Sequence, residues 1–272
     1  MSRSLSTGAV LRRTFGIYAA EAPALLAATL LVAGVLALDQ ARPTYGTAAR
    51  IATALVDLLA LGLFVGVVVL VAADVWDGGA RRDIWGLLRG AWSALGRVLL
   101  AGVVAVLAIT LVTSIGSAIA LGVIVGIVLG SKTALGVVLL GLLVVPLVAL
   151  VAELFLLTSW SVVAAVAVLE RPRGLRALGR SRELVRGNRW RVLALILTLT
   201  LPLTLIVRAV DWAAQAMGGG AAVAIKLLAA TVVAPIPVLA VTALYLELRR
   251  AEPTPAPDAP PTPVHPPEAL VS

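Results

Sequence analysis

ERPRGLRALGRSRELVRGNRWRVL, residues 170–193, is the stretch from which the fold is read. It holds eight arginines against two acids and stands between two long apolar runs. Pro172 suits a first helical turn, where its missing N–H leaves no bond unmade. Leu175, Ala177, Leu178, Leu184 and Val185 fall on one side of a helical wheel, with Arg173, Arg176, Arg180, Glu183 and Arg186 on the other. Gly187 can stop that helix, and Asn188 can cap the next one, which begins at once with Trp190. The expectation is a basic helix lying on a membrane surface, hinged directly into a spanning helix.

The apolar runs on either side extend this reading to the whole chain. Spans are expected at about 22–38, 51–73, 98–121, 136–169, 191–210 and 221–246. Arginines ahead of the first run imitate a secretory signal, but the run is longer than a typical signal core and five more follow. It is therefore read as an uncleaved span. Residues 98–130 hold 33 positions without a charge, about 50 Å as one helix against a hydrocarbon core of roughly 30 Å. Either that helix tilts and protrudes, or its glycine-rich end turns back. Pro146 is expected to kink the fourth span, and Pro202, Pro235 and Pro237 lie inside the last two. Residues 251–272 carry 8 prolines and read as a disordered cytoplasmic tail.

Composition supports a membrane chain. Hydrophobic residues make up 61% of 272, against roughly 45–50% in soluble domains, and mean hydropathy is +1.06. The net charge of +8 is nearly all arginine. Because the basic residues flank apolar runs, anionic lipid headgroups rather than nucleic acid are the expected counter-charge. Cysteine is absent, which excludes disulfides, thiolate nucleophiles and cysteine-ligated metals.

Arginine placement sets the expected orientation. With the N-terminus in the cytoplasm and six alternating spans, 17 of the 22 basic residues fall on the cytoplasmic side. The positive-inside rule then puts both termini inside, in an inner (cytoplasmic) membrane. Trp76, Trp85, Trp92, Trp190, Trp212, Tyr18, Tyr45 and Tyr245 lie near span ends or in the flanking helices, the headgroup level that amphipathic rings prefer. The basic segments from Leu11, Leu87 and Leu178 each precede a pair of spans and share arginine at the third position (Arg13, Arg89, Arg180). Three interfacial helices and a threefold helix–span–span repeat would explain this. So would the positive-inside rule acting alone on any alternating bundle.

Val168, Leu169, Glu170, Ala177, Leu178, Arg180, Ser181, Glu183, Leu184, Val185, Arg186, Gly187, Asn188, Trp190 and Arg191 form a pattern. It resembles the membrane domain of bacterial glycerophosphoryl diester phosphodiesterases and related stand-alone membrane proteins. The motif covers about 25 residues; the six-span layout extends the likeness loosely over 1–250. Ala164 and Ala165 stand where that family often has a proline. The resemblance implies a polytopic helical bundle and does not imply catalysis, since the phosphodiesterase of the fused proteins is a separate soluble barrel. That barrel's histidines have no counterpart here.

Candidate residues follow from the same pattern. His265, the single histidine, lies in the tail and allows neither a histidine dyad nor a two-histidine metal site. GIVLGSKT, residues 126–133, has three residues between its glycines and a serine before its lysine, so it is not a phosphate loop. No metal or cofactor is expected. Asp57 and Glu153 are acids inside spans, where such groups face a bundle interior or an aqueous cavity. Asp57 could equally sit at the outer interface, and Glu153 could be bonded to Thr158, Ser159 or another helix. Gly102, Thr110, Ser114, Ala118, Gly122, Gly126 and Gly130 make a small-residue stripe that would let helices approach closely, unless it reflects composition alone. Arg208 and Asp211 are expected to pair at i, i+3. Arg176, Arg180, Arg182, Arg186, Arg189 and Arg191 could bind lipid phosphate or a partner, or serve only as topological anchors. Two functions are compatible with this. One is a non-enzymatic membrane module that organises headgroups or a membrane-protein partner. The other is a small transporter or lipid translocator that uses Glu153 and Asp57.

Overall fold

In hydrocarbon every backbone N–H and C=O must be satisfied within the segment, so apolar runs of this length become helices. The computed structural model describes residues 7–40, 47–78, 83–128, 135–172 and 175–252. Every element among the described residues is helical. The order is α1 (Thr7–Gln40), α2 (Thr47–Trp76), α3 (Ile84–Val128), α4 (Leu135–Ser159), α5 (Val163–Leu169), α6 (Arg176–Val185), α7 (Arg189–Met217), α8 (Gly219–Val233) and α9 (Pro235–Ala251). Six stretches are long and apolar enough to cross a membrane: Thr7–Val35, Ala52–Trp76, Ile84–Ile119, Leu147–Leu169, Arg189–Met217 and Gly219–Ala251. The chain is an all-α, multi-pass membrane protein. Arg42, Tyr45, Gly130, Lys132, Thr133, Arg173 and the tail with His265 lie outside the described residues.

The basic segments differ from three separate surface helices. The first is the beginning of α1, which runs on past a non-helical Glu21 (φ −118°, ψ 19°). Pro23 supplies the cause: it has no N–H for the Ala19 carbonyl, and its ring crowds that carbonyl. The second segment contains no proline and is continuous with its span, giving the 45-residue α3, about 68 Å long at 1.5 Å per residue. Nothing turns back at Gly122; the helix continues to Val128. Only the third segment is a helix of its own, α6.

The fourth span is interrupted at Trp160–Val162, between α4 and α5. The last span divides at Ala234, yet Ala234 keeps helical angles (φ −60°, ψ −34°). That division comes from the missing donors of Pro235 and Pro237 rather than from a bent backbone. The Tyr18 hydroxyl, reaching over from α1, donates to the neighbouring Val232 carbonyl at 3.1 Å.

Close approach of α2 and α3 depends on Gly62 and Gly66. A Cβ on Gly66 would lie 3.0 Å from the Ala91 Cβ and 3.2 Å from its Cα. One on Gly62 would meet the methyl ends of Leu95 and Leu99 at 2.7 and 2.8 Å. This glycine pair, four residues apart in GLFVG, was not singled out in the sequence. The expected stripe does not do this work: nothing lies within 4 Å of a Cβ built on Gly102 or Gly122, and Thr110, Ser114 and Ala118 are exposed. The α3–α4 contact instead uses Gly116, where a Cβ would stand 2.8 Å from the Ala149 Cβ.

Burial is concentrated at one end of the bundle. Val68 and Val69 of α2, Ala91 and Ala94 of α3, Val163 and Ala165–Val168 of α5, and Leu239 and Leu244 of α9 form one cluster there. Toward the other end, Leu107, Leu111, Val148, Leu201, Leu205 and Leu228 are exposed. In lipid such side chains need no protein partner, because acyl chains are as apolar as leucine.

Candidate functional site

Helix α6 is seated where α4, α5 and α9 meet. Ala177, Leu178, Ser181, Leu184 and Val185 are buried, the i, i+1, i+4, i+7, i+8 spacing of a single helical face. The apolar face expected to rest on the membrane therefore packs on protein. Leu175, placed on that face by the helical wheel, is 51% exposed. Pro172 precedes the helix rather than opening it, since α6 begins at Arg176. Arg171, next to the Glu170 cap of α5, has φ 53°, a left-handed conformation that a glycine usually adopts after a helix end.

The turn after α5 positions a network of side chains. Glu170 accepts the Tyr245 hydroxyl of α9 at 3.0 Å on one carboxylate oxygen. Its other oxygen accepts Arg180 Nε at 3.1 Å. Arg180 Nη2 then donates to Glu252 at 2.7 Å, and Glu183 stands 3.8 Å from Nη1. One guanidinium thus joins α6 to the end of α5 and the end of α9. The hydrogen bond to Glu252, and after it that to Glu170, raises the Arg180 pKa against the lowering effect of burial, so this cation persists at any physiological pH. Tyr245 is fully buried, not a headgroup-level ring. The phenol spends its one proton on Glu170, as a buried hydroxyl must find a partner.

Beside this network the broken fourth span is made tolerable by hydroxyls. Thr158 Oγ1 donates to the Leu154 carbonyl, Ser161 Oγ to Thr158, and Ser181 Oγ, from α6, to Ser159 at 2.9 Å. Ser161 and Ser181 in this way take up carbonyls that the break exposes, whereas Thr158 makes an ordinary i−4 bond inside α4. The Thr158 hydroxyl is thereby not a partner of Glu153, and the buried Ser159 Oγ has no partner at all among the described residues. Arg97 of α3 donates from Nε to the Ala167 carbonyl at 3.2 Å, placing a cation at the C-terminal end of α5, where the helix dipole favours it.

The expected binding residues separate into two groups. Arg176, Arg182 and Arg186 are exposed, and their side chains have no hydrogen-bond or ion-pair partner among the described residues. Arg180 is engaged as described. Arg189 lies over the Phe155 ring at 4.7 Å, and Arg191 Nη1 donates to Asn188 Oδ1 at 3.3 Å. Asn188 occupies the N-cap position of α7 but makes no side-chain capping bond; its carbonyl oxygen is turned to Arg191 instead. Asp57 and Glu153 are half-buried and make no hydrogen bond or ion pair among the described residues. Asp211 pairs not with Arg208 but with Lys226 at 3.3 Å, across the α7–α8 junction. Glu170, Tyr245 and Glu252 were missed as a unit. In the sequence Glu170 stands out only through the family likeness, and nothing local joins residues 75 positions apart.

A domain family of unknown function (DUF8558) matches residues 91–247. The chain belongs to this family. Within the DUF8558 region lie α4 through α8, most of α3 and α9, and the linked residues Glu170, Arg180 and Tyr245; Glu252 falls just beyond it. No curated protein and no solved structure matches the chain.

Proposed function

We propose that this DUF8558 protein is a non-catalytic integral membrane module of the glycerophosphoryl diester phosphodiesterase membrane-domain type. It sits in the cytoplasmic membrane with both termini inside, and it holds anionic headgroups, or a membrane protein that presents similar charge, against the α6–α7 junction. The observation that carries this reading is the exposed, unneutralised set Arg176, Arg182 and Arg186 beside Trp190, which is 82% exposed. Trp85 and Trp92, both exposed, project from the start of α3. Indole rings settle at the headgroup level, and arginines there attract anionic lipid by about 1 kcal/mol each. The α5–α6–α9 ion network fixes α6 so that its polar face cannot roll inward. Transport through Glu153 would need an aqueous path; on its own face of α4 the neighbours at i−3 and i+4, Leu150 and Leu157, are exposed apolar side chains, surroundings suited to lipid.

The test is lipid retention. Full-length protein extracted in mild detergent from membranes with phosphatidylethanolamine and phosphatidylglycerol should co-purify enriched in phosphatidylglycerol. Combined Arg176→Gln, Arg182→Gln and Arg186→Gln substitution should remove that enrichment, while Glu153→Gln leaves it intact. Equal retention in the triple variant would end the headgroup reading.

A further inference from the structure

A second basic feature lies where the start of α1 meets the ends of α2 and α9. A cleft of roughly 620 Å³ is lined there by Arg12, Arg13, Arg250 and Trp76, with Ile17 and Val75 among the apolar residues. The lining contains three guanidiniums and no acid among the described residues. Glu247 touches it from outside, paired with Arg13 at 2.8 Å, which leaves two positive charges in excess.

Two of the arginines are already held. The Arg13 guanidinium carbon stands 4.4 Å from the Trp76 ring centre and that of Arg250 4.7 Å. A guanidinium has five N–H donors; Arg13 gives Nη1 to Glu247, and its remaining donors, with those of Arg250, can meet the paired oxygens of a phosphate. Holding the donors beforehand also removes part of the entropy that binding would otherwise cost. Arg12 is exposed, with no partner among the described residues, and can close on the same anion. The apolar side chains continue the cleft toward the spans.

We propose that this cleft is a discrete site for a net-anionic phosphate ester, with Arg12, Arg13 and Arg250 as its donors and Trp76 as the platform that sets two of them. Within a bilayer the phosphate source is an anionic phospholipid; in the cytoplasm it would be a soluble phosphate monoester. This site shares no residue with the α6–α7 arginines and stands whether or not they bind lipid.

Purified full-length protein in neutral detergent is titrated with dihexanoyl phosphatidic acid, dihexanoyl phosphatidylcholine and glycerol 3-phosphate, with binding read by native mass spectrometry. Dihexanoyl phosphatidic acid should bind, and Arg12→Gln with Arg250→Gln should weaken it at least about tenfold, the scale of losing charge-assisted hydrogen bonds. The Arg176, Arg182 and Arg186 triple variant should bind it as the parent does, which separates this site from the headgroup surface. Trp76→Phe should weaken binding less than the arginine pair, since a smaller ring still supports a cation. Binding of glycerol 3-phosphate as tight as that of the lipid assigns a soluble ester, and much weaker binding assigns the lipid. A thermal midpoint for Arg12→Gln/Arg250→Gln equal to the parent's shows that the loss is not unfolding. Failure of both phosphate probes to bind, undiminished affinity in the arginine pair, or equal binding of phosphatidylcholine overturns the proposal.

Discussion

At the scale of single residues, Glu170 does the most joining. Its carboxylate takes the Tyr245 proton and an Arg180 N–H, so removing it strands a buried phenol and half-releases a cation. Tyr245→Phe should cost about 1–2 kcal/mol, a hydrogen bond to a charged acceptor. Glu170→Ala should cost more, about 2–3 kcal/mol, because an unmet buried donor is worse than an absent one. In a double-mutant cycle with Arg180→Ala the losses should fall short of additivity by more than about 0.5 kcal/mol, as expected of one network. Unfolding midpoints in detergent, followed by circular dichroism, measure both; strict additivity would mean that Glu170 and Arg180 act independently. Little of this was legible in the sequence. Tyr245 near a span end and Arg180 in a basic helix each looked like a membrane-facing residue. Contacts between residues 72 and 75 positions apart leave no periodic trace.

At the scale of elements, glycine contacts rank the helix pairs. Gly66→Ala pushes a methyl against the backbone of Ala91, which cannot step aside without moving α3, and should destabilise by about 1–3 kcal/mol. Gly62→Ala meets only leucine methyl ends, which can rotate away, and should cost less. Gly102→Ala faces open space and should be neutral or stabilise by up to ~1 kcal/mol through helix propensity. Thermal midpoints of the three variants test the order; Gly102→Ala as the worst would contradict the packing described. Spacing of four was a correct general signal for close helix approach, but an alanine- and glycine-rich chain offers it on many faces. Which face is used depends on what stands opposite. The α4–α5 break behaves likewise. Thr158, Ser159 and Ser161 could mark a break or decorate a continuous helix, and the decision comes from Ser181 of α6 arriving to take the Ser159 carbonyl.

At the scale of the molecule, one end of the bundle is packed and basic while the other exposes leucines and valines. On the proposed orientation the packed end is cytoplasmic. The chain has no cysteine, so single introduced cysteines report sidedness without background. Met217→Cys, at the exposed end of α7, should react with a membrane-impermeant maleimide on intact cells. Arg182→Cys should react only after permeabilisation. The opposite pattern would invert the topology and with it the headgroup reading.

The amino-acid sequence alone determined the all-helical class and the number of stretches able to span a membrane. Both follow from run length, since a backbone in hydrocarbon has one local way to satisfy itself. It also marked 170–193 as a basic helix joined to the next span. Only the tertiary structure decided that α6 lies against protein and that Arg180 is anchored between two carboxylates. It likewise decided that Arg13 and Arg250 share Trp76, and that Gly66 rather than Gly102 meets a neighbouring helix. These are outcomes of which faces meet. In a chain whose helices are apolar on nearly every side, hydrophobic periodicity does not specify the partner; close fit and the pairing of a few polar groups do.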